Sequence, residues 1–322
     1  MTILKRKLTL LTNIRWLLVI SNIFILVACH ASENKPSNCE GVKLQVLGSG
    51  GPEIDDGLAS SSTLIWINNK AKILVDAGGG SSLNFEKSGA KFNDLSAVLL
   101  THLHVDHSVA LPVYIKAGYF SGRESQLPIF GPNKGGDFPS TNTFLTALLD
   151  DRTEGELNSV YPYLSDNIYK QASTDFLVKG LSYPKNKKHW VTQINHDLTI
   201  TGVKVNHGEI PALAWRVDYK NCSISFSGDM NGSSGNLDGL AKNSDWLVAN
   251  NAIPEDAGRI AKFLHMTPSQ IGKTASNAKV KNLVLSHFMN RTKNKKNESV
   301  KIIRQEYKGN IYLSDDLKIF DL

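Results

Sequence analysis

Three imidazoles and one carboxylate occupy the six consecutive positions from His102 to His107, in the segment Thr101-His102-Leu103-His104-Val105-Asp106-His107. The apolar run Ala97–Thr101 leads straight into it and reads as a buried strand. Alternate side chains of an extended segment point the same way, so His102 and His104 can reach one ion together. Asp106 and His107 then enter a turn, where they can address a second ion nearby. Imidazole mixed with carboxylate suits zinc. Without a metal, four such groups would repel when protonated and cost desolvation when buried. The competing reading is a solvated histidine-rich loop.

The chain has 322 residues, within range for one large α/β domain, and 41% hydrophobic and 20% charged content argues against disorder. Its formal charge of +6 is deceptive, because Lys5, Arg6, Lys7 and Arg15 stand in a segment without acids. Beyond residue 28 the balance is 32 basic against 30 acidic residues, a net of +2. A nearly neutral chain makes no electrostatic case for nucleic-acid binding.

Residues 1–28 read as a targeting segment, with a basic start and an apolar run from Trp16 to Ala28 broken at Ser21 and Asn22. The run is short for a transmembrane span, which needs about 20 apolar residues. Its end, Leu26-Val27-Ala28-Cys29, resembles the lipobox of bacterial lipoproteins, which implies lipidation of Cys29 and anchorage to a membrane. An ordinary cleaved signal peptide or a retained anchor are the alternatives, and all three place the protein outside the cytoplasm, in the periplasm or at the cell surface. An oxidising compartment permits a disulfide between Cys39 and Cys222, with two unpaired thiols as the alternative.

Residues 29–41 read as a polar tether, and the domain as 42–322. Strands are expected at Val42–Leu47, Thr63–Ile67, Ala71–Val75, Leu198–Val205, Ala212–Asp218, Ser223–Ser227, Trp246–Asn250, Asn282–Ser286 and Ile311–Leu313. Helices are expected around Ser108–Phe120, Asn142–Leu149, Pro268–Ala278 and Ser299–Tyr307. Strands gather at both ends with helices between, which suggests two sheets in a layered α/β architecture. The weakly patterned stretch 131–196 reads as an insertion over one face.

His-x-His-x-Asp-His after a strand resembles the metallo-β-lactamase superfamily. Four further segments fit that resemblance in order. They are Leu74-Val75-Asp76-Ala77-Gly78, Val205-Asn206-His207-Gly208, Ser225-Phe226-Ser227-Gly228-Asp229 and Leu285-Ser286-His287-Phe288. The resemblance implies a four-layer αββα sandwich with two zinc ions at one edge of the sheets. His102, His104 and His207 would hold one ion, Asp106, His107 and His287 the other, and Asp229 would bridge them. Asp76 would be a structural neighbour of the site. His30, His189 and His196 match nothing and read as surface residues.

A bridging aspartate sets the chain apart from true β-lactamases of the superfamily. His265-Met266-Thr267 resembles the His-x-Thr motif of the tRNase Z branch, where the histidine acts on the scissile phosphate. Thr267, Pro268 and Gln270 also fit a helix start, which would hold His265 where anions are welcome. Arg291 is a candidate oxyanion clamp in substrate binding, against the reading of a surface arginine in a basic run. Residues 137–179 hold seven acids against three bases, and the chain reads as exported. Both features speak against RNA, so the expected partners are a small-molecule ester and a membrane, with no nucleic acid. The runs Leu111–Phe120 and Leu127–Pro132 resemble exported arylsulfatase-like members.

The expected chemistry is hydrolysis of a sulfate ester or phosphodiester. Asp106 would orient the attacking water or accept its proton, and a protonated His265 would assist the leaving oxygen. Tyr119, Phe120 and Arg123 read as ordinary helix and loop residues ahead of a role in the pocket. The rival readings are a carbon-ester, lactone or β-lactam hydrolase on the same metals, a non-catalytic surface zinc-binding lipoprotein, and an iron redox enzyme.

Overall fold

Alternating apolar residues along the strands give each sheet two buried faces, and that dictates the layers. In Val42–Gly48, Val42, Leu44 and Val46 face one core while Leu47 faces another. In Asn282–Ser286, Val284 lies in the central core, whereas Leu283 and Leu285 pack outward. A computed structural model describes residues 39–123, 125–149, 159–164 and 178–322. The targeting segment, Cys29, most of the tether and most of the acidic stretch lie outside those residues.

The strands are β1 (Val42–Gly48), β2 (Ser62–Ile67), β3 (Lys70–Val75), β4 (Ala97–Leu99), β5 (Leu127–Gly131), β6 (Val178–Ser182), β7 (Trp190–Asn195), β8 (Leu198–His207), β9 (Ile210–Tyr219), β10 (Cys222–Phe226), β11 (Trp246–Asn250), β12 (Asn282–Ser286), β13 (Asn310–Leu313) and β14 (Ile319–Asp321). They form two seven-stranded sheets, ordered β14-β1-β2-β3-β4-β5-β6 and β13-β12-β11-β10-β9-β8-β7. Antiparallel hairpins and parallel crossovers mix in both sheets. The central core joins them through Leu44, Ile65, Phe130, Trp215, Phe226 and Val248. Helices Leu111–Tyr119 and Thr141–Leu149 cover the first sheet, and Asn236–Leu240, Pro268–Asn277 and Lys296–Glu306 cover the second. The arrangement is the expected αββα sandwich.

The expected reading of 131–196 as an insertion fails in part. Val178–Ser182 and Trp190–Asn195 are edge strands, one in each sheet. Trp190–Asn195 alternates half-buried and exposed positions and mixes polar with apolar residues, which leaves neither a hydrophobic run nor a clean alternation to notice. Pro128 hides β5 in the same way, since proline normally disfavours an inner strand. Cys39 and Cys222 form a disulfide that ties the start of β1 to β10, resolving the open alternative.

Candidate metal centre

The expected donors sit just beyond strand ends on one edge of the sandwich: His102 after β4, His207 closing β8, Asp229 after β10 and His287 after β12. His104 caps the short helix Val105–Ser108, which carries Asp106 and His107. Ligating atoms converge in three overlapping groups, each within 4.8 Å: His102, His104 and His207; His102, His107 and Asp229; Asp106, His107 and His287. A fourth group, His207, Asp229 and His265, shares two of these residues. His207 Nε2 lies 3.4 Å from His104 Nδ1, and His107 Nε2 lies 3.1 Å from His287 Nε2. Asp229 Oδ2 is 3.8 Å from both His107 Nε2 and His207 Nε2. His102, His107, His207, Asp229 and His287 are all nearly inaccessible to solvent.

The local backbone is built around this convergence. Gly228 has φ 57°, and a Cβ there would lie 2.8 Å from Thr101 Cβ, so only glycine lets Asp229 approach the His102 strand. Asp76 and His287 adopt left-handed φ values of 58° and 57°, a strain that functional sites often hold. Asp76 accepts hydrogen bonds from Thr101 N at 2.7 Å and Thr101 Oγ1 at 2.8 Å, and pairs with His107 Nδ1 at 2.8 Å. His207 Nδ1 faces the Leu264 carbonyl at 2.8 Å, and Asn250 Nδ2 donates to Asp229 Oδ1 at 2.7 Å. Such outer partners fix the tautomers, leaving His107 Nε2 and His207 Nε2 to face inward. Sequence reasoning placed Asp76 correctly but missed Thr101, Asn250 and the Leu264 carbonyl as supports. Only Thr101 carried a hint, being the last residue of the strand before the histidines.

Electrostatics follow from burial and crowding. Burial, then the other histidines, holds His102 well below its usual pKa. Burial also works against the charged form of His107, yet the Asp76 and Asp106 carboxylates outweigh it and push His107 up to about 10. Burial would raise Asp106, but His107 and His287 hold it down at about 2. Asp229 lies well below the carboxylate range because His287, His265, His107 and His102 override its desolvation.

A metal fits these residues. Among the described residues His102 Nε2 is buried without a hydrogen-bond partner, and imidazoles with carboxylates form a zinc-type donor set. The cleft above them, about 320 Å³, has Pro52, Val105, Leu264 and Met289 as apolar walls.

His265 also lines this cleft, buried, with Nδ1 3.6 Å from Asp229 Oδ2. Thr267 and Gln270 form the expected capping box at the start of helix Pro268–Asn277. The expectation of a protonated His265 is corrected. Burial, then His287, His207 and Arg291, push it down to about 4 against the pull of Asp229, so it is neutral near pH 7. Arg291 donates from Nε to the Ala252 carbonyl at 2.9 Å and from Nη2 to Sδ of Met289, a residue that lines the cleft, at 3.2 Å. Arg123 instead donates to the Phe92 and Leu95 carbonyls, Tyr119 to the Leu164 carbonyl, and Phe120 is exposed. His189 and His196 are exposed surface residues, as expected.

Fold and donor set together define a metal-dependent hydrolase. The chain belongs to the metallo-beta-lactamase superfamily, whose family model matches residues 55–267. It is 27% identical over 286 residues to a Ribonuclease Z of Listeria monocytogenes, which covers 82% of this chain and 93% of that one. The metallo-beta-lactamase fold protein YhfI of Bacillus subtilis is similar in structure, with a TM-score of 0.64 at 18% identity over 87% of this chain and 98% of that one. The short form of human tRNase Z gives 0.62 at 18% identity over 86% and 98%. These relatives overturn the expectation that nucleic acid has no part. It rested on overall charge, on a stretch of acids and on the reading of the chain as exported, whereas proteins named for acting on RNA share most of this chain's length. Net charge reports the average over a surface and not the field at a cleft.

Proposed function

We propose that the protein is an exported phosphodiester hydrolase working with two zinc ions. His102, His104 and His207 would hold one ion, Asp106, His107 and His287 the other, and Asp229 would serve both. The observation that carries this reading is the position of Asp229, equidistant at 3.8 Å from an inward nitrogen of each histidine group. Zinc supplies Lewis acidity and an activated water at such a centre. Asp106, held down at about 2 and so ionised near neutral pH, would orient an attacking water and take up its proton. Neutral His265 offers an N–H to the leaving oxygen from the helix start, and Arg291, held against the cleft residue Met289, attracts the anionic ester. The apolar walls keep bulk water away from the reacting atoms.

Relatives named Ribonuclease Z support the phosphodiester as substrate. The resemblance of Leu111–Phe120 to arylsulfatase-like members supports an aryl sulfate as the second reading. The test is a panel on zinc-replete protein: bis(4-nitrophenyl) phosphate, a short RNA, 4-nitrophenyl sulfate, a lactone and a chromogenic cephalosporin. Phosphodiester turnover is expected, abolished in Asp229→Ala and lowered at least about tenfold in His265→Ala. Turnover of the lactone or cephalosporin alone defeats the reading, and so does an Asp229→Ala rate equal to wild type.

Export and lipid anchoring at Cys29 belong to the same proposal. The Cys39–Cys222 disulfide supports them, since such bonds persist in oxidising compartments. Labelled palmitate should enter the wild type and not Cys29→Ala; equal labelling of both removes the anchor.

A further inference from the structure

We infer that Phe138 is a positioning residue for His104, and that it sets the affinity of the ion held by His102, His104 and His207. This rests on the zinc reading above. The outward nitrogens of three neighbouring histidines each face a polar group: His102 Nδ1 the Thr101 hydroxyl at 3.1 Å, His107 Nδ1 Asp76 at 2.8 Å, and His207 Nδ1 the Leu264 carbonyl at 2.8 Å. His104 turns its Nδ1 inward, 3.4 Å from His207 Nε2, and its Nε2 has no hydrogen bond among the described residues. A ligating imidazole without an outer partner can rotate about its Cβ–Cγ bond, and rotation swings the ligating nitrogen away from the ion.

Phe138 supplies a packing contact to this ring instead. Its ring meets the His104 ring edge to face, with centroids 5.7 Å apart and planes at 62°. Such pairs have a preferred geometry, and so restrict the rotation of each ring. The loop that presents Phe138 is built for a fixed position. Gly135 and Phe138 exchange backbone hydrogen bonds of 3.3 and 3.0 Å, and Asn133 Nδ2 donates to the Tyr183 carbonyl at 2.8 Å. Gly135 presses on Pro211 of β9, where a Cβ would lie 2.7 Å from Pro211 Cγ. The loop thus leaves β5 of the first sheet and braces against the second, beside the turn that follows His207. Phe138 takes no part in proton transfer. Its effect passes through the orientation of His104.

The test measures zinc affinity by chelator competition, with no substrate present, on wild type, Phe138→Ala, Phe138→Tyr, His104→Ala and the Phe138→Ala/His104→Ala pair. Phe138→Ala should weaken one of two zinc-binding events about tenfold and leave the other unchanged, as outer-sphere partners typically contribute 10–100-fold. Phe138→Tyr should keep wild-type affinity, since it retains the ring at a half-buried position. In the His104→Ala background, Phe138→Ala should have no further effect. Unchanged affinity in Phe138→Ala overturns the inference, as does an equal loss at both ions. An undiminished effect of Phe138→Ala in the His104→Ala background also overturns it, because the residue would then act on the fold at large. Wild-type protein that takes up no zinc overturns this inference and the proposed function together, whereas zinc uptake without turnover overturns the function alone.

Discussion

Replacing Asp76 by asparagine should strip the centre of metal while sparing the fold. The carboxylate faces three donors: Thr101 N at 2.7 Å, the Thr101 hydroxyl at 2.8 Å and His107 Nδ1 at 2.8 Å. Asparagine keeps the shape but exchanges one acceptor oxygen for an amide that only donates. If the amide faces His107, the imidazole proton must move to Nε2. That nitrogen lies 3.1 Å from His287 Nε2 and 3.5 Å from Asp106, facing the centre. A protonated Nε2 cannot ligate. If the amide turns toward Thr101 instead, two buried donors oppose each other, at a cost of about 1–3 kcal/mol. Either outcome lowers zinc affinity by roughly 10–100-fold, the usual effect of losing an outer partner. The assay is chelator competition at pH 7.5, with urea unfolding in excess chelator as a control for folding. Asp76→Asn should unfold cooperatively within about 3 kcal/mol of wild type. Zinc affinity within twofold of wild type would refute the tautomer argument, because His107 would then ligate without Asp76 dictating which nitrogen is free.

Three further outcomes follow from the same geometry. His265 has a folded pKa of about 4 against 6.5, so the unfolded chain binds its proton more readily and stability falls as pH drops from about 6.5 to 4. That gap of about 2.5 units is worth at most about 3–4 kcal/mol, and in chelator-treated protein His265→Ala should flatten the decline in urea midpoint between pH 7 and 4. Reducing Cys39–Cys222, which are 183 residues apart, should cost about 2–5 kcal/mol, read as a lower urea midpoint in dithiothreitol; an unchanged midpoint counts against a stabilising role. Thr267→Ala removes the cap of helix Pro268–Asn277 and should cost about 1 kcal/mol. It should also slow turnover with zinc content intact, because His265 loses its fixed approach; metal loss in that variant would contradict the separation of roles.

The metal donors were legible in the sequence because metal chemistry is local in its demands. His102 to His107 need only an extended stretch and a turn, and both are written in the apolar run before them and in their spacing. The central strands Trp246–Asn250 and Asn282–Ser286 were equally plain, since strands buried on both faces carry near-continuous hydrophobic residues. The edge strands Val178–Ser182 and Trp190–Asn195 were not, because an edge meets water and its composition relaxes. The state of His265 was also hidden. Its motif suggests a proton donor, but its charge depends on His287, His207 and Arg291 arriving from distant parts of the chain.

By itself, then, the sequence picked out the side chains that the structure gathers at one point, and the order in which the strands deliver them. Only the tertiary structure decided which nitrogen of His102, His107 and His207 faces inward, because that choice belongs to Thr101, Asp76 and the Leu264 carbonyl. Spacing along a chain fixes what can reach a point. Orientation and protonation are fixed by what packs behind it, and those neighbours come from strands that meet only when the two sheets close on each other.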